Sequence, residues 1–274
     1  METTLDLNDG MQLPRIGFGT WPMDDAQART AVAQALRAGY RLVDTASRYG
    51  NEAGVGQGLR DSGVARADIR LATKLRGHDQ GFDATLRGFE ASLERLDVDY
   101  VDLYLIHWPL PMFDRYVDSW KAMIRLQEEG RIRSIGVSNF QPAHIERLQR
   151  ETGVLPAVNQ IELHPDFSQA VLHQWLRERG IAVQAWSPLG RGEVLHAPAL
   201  QALADKHGRS VAQVILRWHL QLGVVPIPKS QNPERMAQNM ALWDFALDED
   251  DMAVIAALDA GRRLGGEPDS HIEE

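Results

Sequence analysis

No cysteine occurs among the 274 residues, which excludes disulfides, thiolate metal ligands and thiol nucleophiles. No apolar run approaches the roughly 20 residues needed to cross a bilayer, and the acidic, polar start METTLDLNDG lacks the pattern of a signal peptide. A cytoplasmic protein without membrane contact is the expectation. Basic residues are in deficit: 29 Lys and Arg face 38 Asp and Glu, for a formal net charge of -9. That balance disfavours nucleic acid as a partner, yet leaves room for a local basic pocket. No Pro-, Gly- or Ser-rich linker divides the chain, so 1–274 reads as a single domain. The Gly-rich dinucleotide loop is missing too. Gly17-Phe18-Gly19 runs into Thr20-Trp21-Pro22, with no third glycine and a proline that opens no phosphate-cradling helix.

What is present is a regular alternation. "TLDLNDGMQLP" alternates around Asn8-Asp9-Gly10, a short hairpin signal. After it, apolar strands are predicted at 15–19, 41–44, 69–74, 101–107, 132–138, 157–162, 181–186 and 224–228. Amphipathic helices are predicted between them at 25–37, 52–62, 82–96, 115–129, 142–150, 168–179, 210–220 and 233–240. Ala38-Gly39, Glu129-Gly130 and Arg179-Gly180 read as helix C-caps, each leading to a strand. Eight strand–helix units over about 250 residues match an α/β fold of the (β/α)8 TIM barrel type. An open doubly wound sheet is the competitor, but it would usually use fewer strands. An extra C-terminal helix is predicted at 248–260, and the tail GRRLGGEPDSHIEE as a loop over one face.

In such a barrel the chemistry belongs at the C-terminal ends of the strands, and these ends are polar. They carry Asp44, Lys74, His107, Ser138-Asn139, Gln160 and Glu162, and Lys229-Ser230, with Tyr49 close behind Asp44 in LVDTASRYGNE. Each alone could be a strand cap. Together they have a chemical logic. A Lys paired with an Asp stays charged and pulls down the pKa of a nearby Tyr. Such a Tyr can protonate an oxygen that gains negative charge, while a His donates a hydrogen bond to the same oxygen. Carbonyl reduction suits this set better than hydrolysis, since no activated Ser or metal cluster accompanies it. Phe18, Trp21, Trp108, Phe113 and Trp186 fall in or near the same loops and are candidate pocket walls.

IPKSQNPERMAQN points to an anion. Asn232 is placed to cap a helix with Pro233 at its first position, which puts Arg235 in the first turn. A base there opposes the helix dipole, unless Lys229, Ser230, Arg235 and free N–H groups hold a phosphate. Pairing of Arg235 with Glu234 is the plainer alternative. The pattern does not separate a phosphorylated substrate from a nucleotide.

DTASRYGNE, LATKL, YLIHWP, GVSNF, NQIELHP, AWSPLG and PKSQNPERMAQN, taken in this order and spacing, resemble the aldo-keto reductases, most closely the bacterial 2,5-diketo-D-gluconate reductase branch. The resemblance runs from LNDGMQLPRIGFGTW to AALDAGRR, nearly the whole chain. It implies a barrel that binds NADPH and reduces aldehydes and ketones, including α-diketones, keto esters and keto-sugar acids. Tyr49 then matches the general acid, Asp44 and Lys74 its electrostatic partners, and His107 the carbonyl-orienting residue. Ser138, Asn139 and Gln160 match the nicotinamide carboxamide contacts, and Trp186 the ring that stacks on it. Thr20, Asp44, Ser187 and Leu189 join the cofactor set. Lys229, Ser230 and Arg235 match the 2′-phosphate contacts and Asn239 an adenine contact. Phe18, Trp21, Tyr49, His107, Trp108 and the tail near Leu264 match the substrate pocket. Gln238 departs from a common Glu, Asn232 from a common Thr, and Asp166 from a common aromatic. The tail is shorter than in the mammalian branch, which predicts an open pocket wall.

Two other classes keep the barrel. Lys74 as a Schiff-base lysine is disfavoured by an Asp44 pair that holds it protonated. A non-catalytic nucleotide sensor is disfavoured by the intact Asp44, Tyr49, Lys74 and His107. No metal site is expected, because His107 and His164 lie on different strands with no third ligand. Nothing in the sequence demands more than a monomer.

Overall fold

The computed structural model describes residues 2–273. A hairpin of β1 (Thr4–Asp6) and β2 (Gln12–Pro14) pairs Leu5 with Leu13. Eight parallel strands follow: β3 (Phe18–Gly19), β4 (Leu42–Asp44), β5 (Arg70–Leu75), β6 (Val101–Ile106), β7 (Ile132–Ser138), β8 (Val158–Glu162), β9 (Ala182–Trp186) and β10 (Val225–Pro226). Neighbours in sequence are neighbours in the sheet. The Gly17 and Gly19 amides donate to the Pro226 and Pro228 carbonyls at 3.0 Å each, joining first strand to last. The result is the expected (β/α)8 barrel.

Around it lie α1 (Asp25–Arg37), α2 (Glu52–Asp61), α3 (Phe82–Leu96), α4 (Tyr116–Glu128), α5 (Pro142–Thr152), α6 (Ala170–Glu178), α7 (Pro198–His207), α8 (Val211–Leu222), α9 (Pro233–Met240) and α10 (Glu249–Ala256). The sequence reading has no counterpart for α7, although Pro198 at its start, Leu200, Leu203 and Ala204 on one face and Gly208 at its end are ordinary helix signals. The seventh unit therefore carries two helices. α10 stops four residues short of the predicted 260, and the chain then turns at Asp259, which accepts from Ser168 and from the Gly261 amide. No helix among the described residues is long and apolar enough to cross a membrane.

Alternation along the strands sorts the side chains. Leu42, Ala72, Leu103, Leu105, Val158, Val225 and Ile227 fill the barrel, with Leu7 and Leu13 of the hairpin segment packed against them. Val43, Leu71, Tyr104, Ile106, Val137, Ile161 and Val183 pack outward under the helices. The period of two thus brings Asp44, Lys74, His107, Ser138 and Gln160 to the inner face, one step beyond the apolar filling. Gly17 and Gly19 take inner positions at the seam. A Cβ on Gly17 would lie 2.5 Å from Ile227 Cδ1 and 3.0 Å from Leu42 Cδ2, so a side chain there would force the seam's apolar filling to shift.

Candidate active site

At the C-terminal end of the barrel Lys74, fully buried, places Nζ 2.6 Å from Asp44 Oδ1, 3.0 Å from the Thr45 carbonyl and 3.3 Å from the Tyr49 hydroxyl. Burial alone would pull the ammonium down. Asp44 and Tyr49 outweigh it and hold the lysine above its ordinary value. Asp44 is fixed from the other side by Gln160 Nε2, 2.8 Å from Oδ2. Tyr49 sits on the 3₁₀ turn Ser47–Tyr49, tethered because Ser47 Oγ donates to the Lys74 carbonyl at 2.9 Å. Its ring meets that of His107 edge to face at 5.8 Å. The anticipated lowering of the Tyr49 pKa does not occur: burial pushes the phenol above 10.0, and Lys74 only partly offsets it. Tyr49 is a protonated donor over the whole neutral range.

Beside this group Asn139, in a left-handed conformation (φ 63°), bridges three strand ends. Its Nδ2 donates to the His107 carbonyl (3.0 Å) and to Ser138 Oγ (3.1 Å), and its Oδ1 accepts from Trp186 Nε1 (2.8 Å). Ser138 Oγ donates to the Gln160 carbonyl at 2.8 Å. Thr20 is buried, with Oγ1 donating to the Asp44 carbonyl. Ser187 (φ 48°) and Leu189 lead from β9 into the 3₁₀ segment Gly190–His196, and both are half-buried. Trp21 is exposed, with the Arg191 guanidinium 5.9 Å from its ring centroid.

On α9, Asn232 caps as anticipated, and its Oδ1 accepts from the Arg235 amide at 3.1 Å. That amide is therefore taken by the cap. Ser230 Oγ accepts from the Asn232 amide. The Lys229 and Arg235 side chains are exposed, and among the described residues neither pairs with a carboxylate, Glu234 included. Asn239 is buried near Tyr40, whose hydroxyl donates to the Met236 carbonyl at 3.3 Å.

Two expectations are corrected. Phe18 does not line the mouth: it is fully buried on the outer face of β3, its ring 5.5 Å from that of Tyr40 under the helices. Its strand position is one out of step with Gly17 and Gly19. The pocket wall is not open either. Arg262 pairs with Asp166 and Glu193, and the Leu264 and Gly265 amides donate to Glu162 at 2.6 and 2.9 Å. Gly265 packs on Trp186, where a Cβ would come 2.3 Å from the indole. His271 lies over Trp108 with ring centroids 3.9 Å apart, and Glu273 Oε1 stands 2.6 Å from His107 Nδ1. His164, fully buried, lies between Glu162 (2.9 Å) and Asp166 (2.5 Å), which gives the unusual Asp166 a structural task. The acid-rich tail has no periodicity, so no sequence signal marks Glu273 as a neighbour of His107.

The sequence and the barrel fold match known proteins. The model of the aldo/keto reductase family matches residues 15–260. An aldo-keto reductase of Mycolicibacterium smegmatis is 52% identical over 268 residues, covering 98% of both chains. The methylglyoxal reductase DkgA of Salmonella typhimurium is 48% identical over 269 residues, covering 97% of each. The crystal structure of a Gox0644 mutant in complex with NADPH superposes with a TM-score of 0.93 at 46% identity, covering 98% of both chains.

Proposed function

Since the chain belongs to the aldo/keto reductase family, we propose that it reduces aldehydes and ketones to alcohols with NADPH, Tyr49 serving as general acid. The observation that carries this reading is the single cluster in which a protonated phenol, a buried ammonium–carboxylate pair and an imidazole share one end of the barrel. α-Dicarbonyl compounds, keto esters and keto-sugar acids are the substrate class. The 48% identity to a methylglyoxal reductase and the motif resemblance to the 2,5-diketo-D-gluconate reductase branch support it.

The side chains suit NADPH. Lys229 and Arg235 offer two cations without acidic partners to a 2′-phosphate. Ser138, Asn139 and Gln160 present amide and hydroxyl groups for a carboxamide, and Asn139 holds the half-buried Trp186 for ring stacking. When bound, NADPH supplies the hydride that adds to the carbonyl carbon. The Tyr49 hydroxyl gives its proton to the carbonyl oxygen as charge develops there. Lys74, kept charged by Asp44, stabilises the phenolate left behind. His107 orients the carbonyl oxygen through a ring N–H. A Schiff-base role for Lys74 conflicts with its raised pKa, because an imine needs the neutral amine.

Replacing Tyr49 with Phe is expected to lower kcat by about 10²–10⁴ while the dissociation constant of NADPH stays unchanged. Wild-type turnover in that variant, measured over a panel of carbonyl compounds with both reduced cofactors, rejects the assignment.

A further inference from the structure

The last described residues do more than cover the pocket. The side chain of Glu273 is buried, 5% exposed. Oε1 stands 2.6 Å from His107 Nδ1, and Oε2 accepts from the Gly77 amide. Among the described residues, neither His107 Nδ1 nor Glu273 Oε1 has any other polar partner. A Cβ on Gly77 would lie 2.2 Å from Leu110 Cδ1 and 3.0 Å from Glu273 Oε2, so the loop packs closely against both Leu110 and the carboxylate. Burial would protonate Glu273, but His107, the Gly77 amide and Arg48 outweigh it and keep the carboxylate ionised. Its charge is felt at the Tyr49 hydroxyl, where it opposes ionisation. A fixed negative charge therefore stands in the wall of the pocket, between the loop after β5 and the end of β6.

We infer that Glu273 is a specificity-determining residue that selects against carbonyl substrates bearing an anionic group next to the reacting carbon. The inference rests on the reductase reading above and divides its substrate class. A carboxylate attached to the carbonyl carbon must enter the space beside His107, where Glu273 already provides one. In a water-poor pocket the two like charges repel strongly. A neutral ester of the same shape meets no such repulsion. Keto acids reduced at the carbon that bears the carboxylate are thus poor substrates while the tail is docked, and keto esters, aldehydes, neutral diketones and sugar acids reduced at a carbon remote from their carboxylate are good ones.

The test is a matched pair, phenylglyoxylate and its methyl ester, assayed with NADPH on the wild type, Glu273→Gln and Glu273→Asp. Gln keeps the size and removes the charge. The ratio of kcat/KM for ester over acid is expected to fall about tenfold or more in Glu273→Gln, through a lower KM for the acid. Glu273→Asp keeps the discrimination. A general loosening of the tail raises acid and ester alike. An unchanged ratio in Glu273→Gln, or equal gains for both substrates, overturns the inference while ester reduction by the wild type leaves the reductase reading intact. No NADPH-dependent turnover of the ester by the wild type overturns both.

Discussion

Burial and the Lys74 ammonium are the two largest influences at the Tyr49 hydroxyl, and their order sets its pH behaviour. Burial raises the phenol pKa, and the Lys74 ammonium 3.3 Å away lowers it by less. Proton donation needs the protonated form, which exists below the folded-state pKa. Chemistry-limited reduction is therefore expected to hold level from neutral pH to 10.0, the ordinary tyrosine value, and to fall only above it. Alcohol oxidation, which needs the phenolate, should rise over the same alkaline range. A descending limb for reduction centred well below 10.0 would show that Lys74 wins. The identities of Asp44, Lys74 and His107 were readable because each ends an apolar strand, and the period of two then dictates the face. Phe18 was misread for the same reason: its strand has two residues, too few to show which face it takes. Glu273 was unreadable because a contact between positions 107 and 273 leaves no local pattern.

α2 illustrates how packing overrides propensity. Three of its ten residues are glycine, each costing a helix about 1 kcal/mol against alanine. The reason is close backbone approach. A Cβ on Gly54 would lie 2.1 Å from the Asp25 carbonyl oxygen at the start of α1, and one on Gly56 would lie 2.0 Å from that of Leu96 at the end of α3. The Gly54 amide uses this proximity to donate to Asp25 Oδ1 at 2.6 Å. Gly54→Ala is therefore expected to destabilise by about 1–3 kcal/mol, not to stabilise as helix propensity alone implies. Urea denaturation decides it, and a higher midpoint for the variant contradicts the packing argument. The strands were easier to place than the helices, since a buried apolar run flanked by polar ends is unambiguous. α7 was lost because the 3₁₀ segment before it, with Arg191 and Gly192 out of helical conformation, masks where the helix begins.

For the molecule as a whole, cofactor binding and stability are linked. A ligand at about 100 times its Kd adds about 2.7 kcal/mol, and roughly 2–4 °C in Tm accompanies each kcal/mol for chains of this order. NADPH is expected to raise the Tm by several degrees and NADH by less at equal concentration. Arg235→Ala is expected to erase most of that difference, since only NADPH carries the 2′-phosphate. Equal losses for the two cofactors would remove Arg235 from the phosphate contact.

The seam of the barrel gives that linkage a direction. Pro226 and Pro228 have no amide hydrogen, so every donor across this seam belongs to the glycine side. Lys229 follows Pro228 without a gap, and anything that anchors Lys229 also steadies the acceptor carbonyls behind it. Deuterium uptake at the Gly17 and Gly19 amides then becomes a remote gauge of nucleotide occupancy, reported by a strand whose own glycines offer the phosphate no side chain at all.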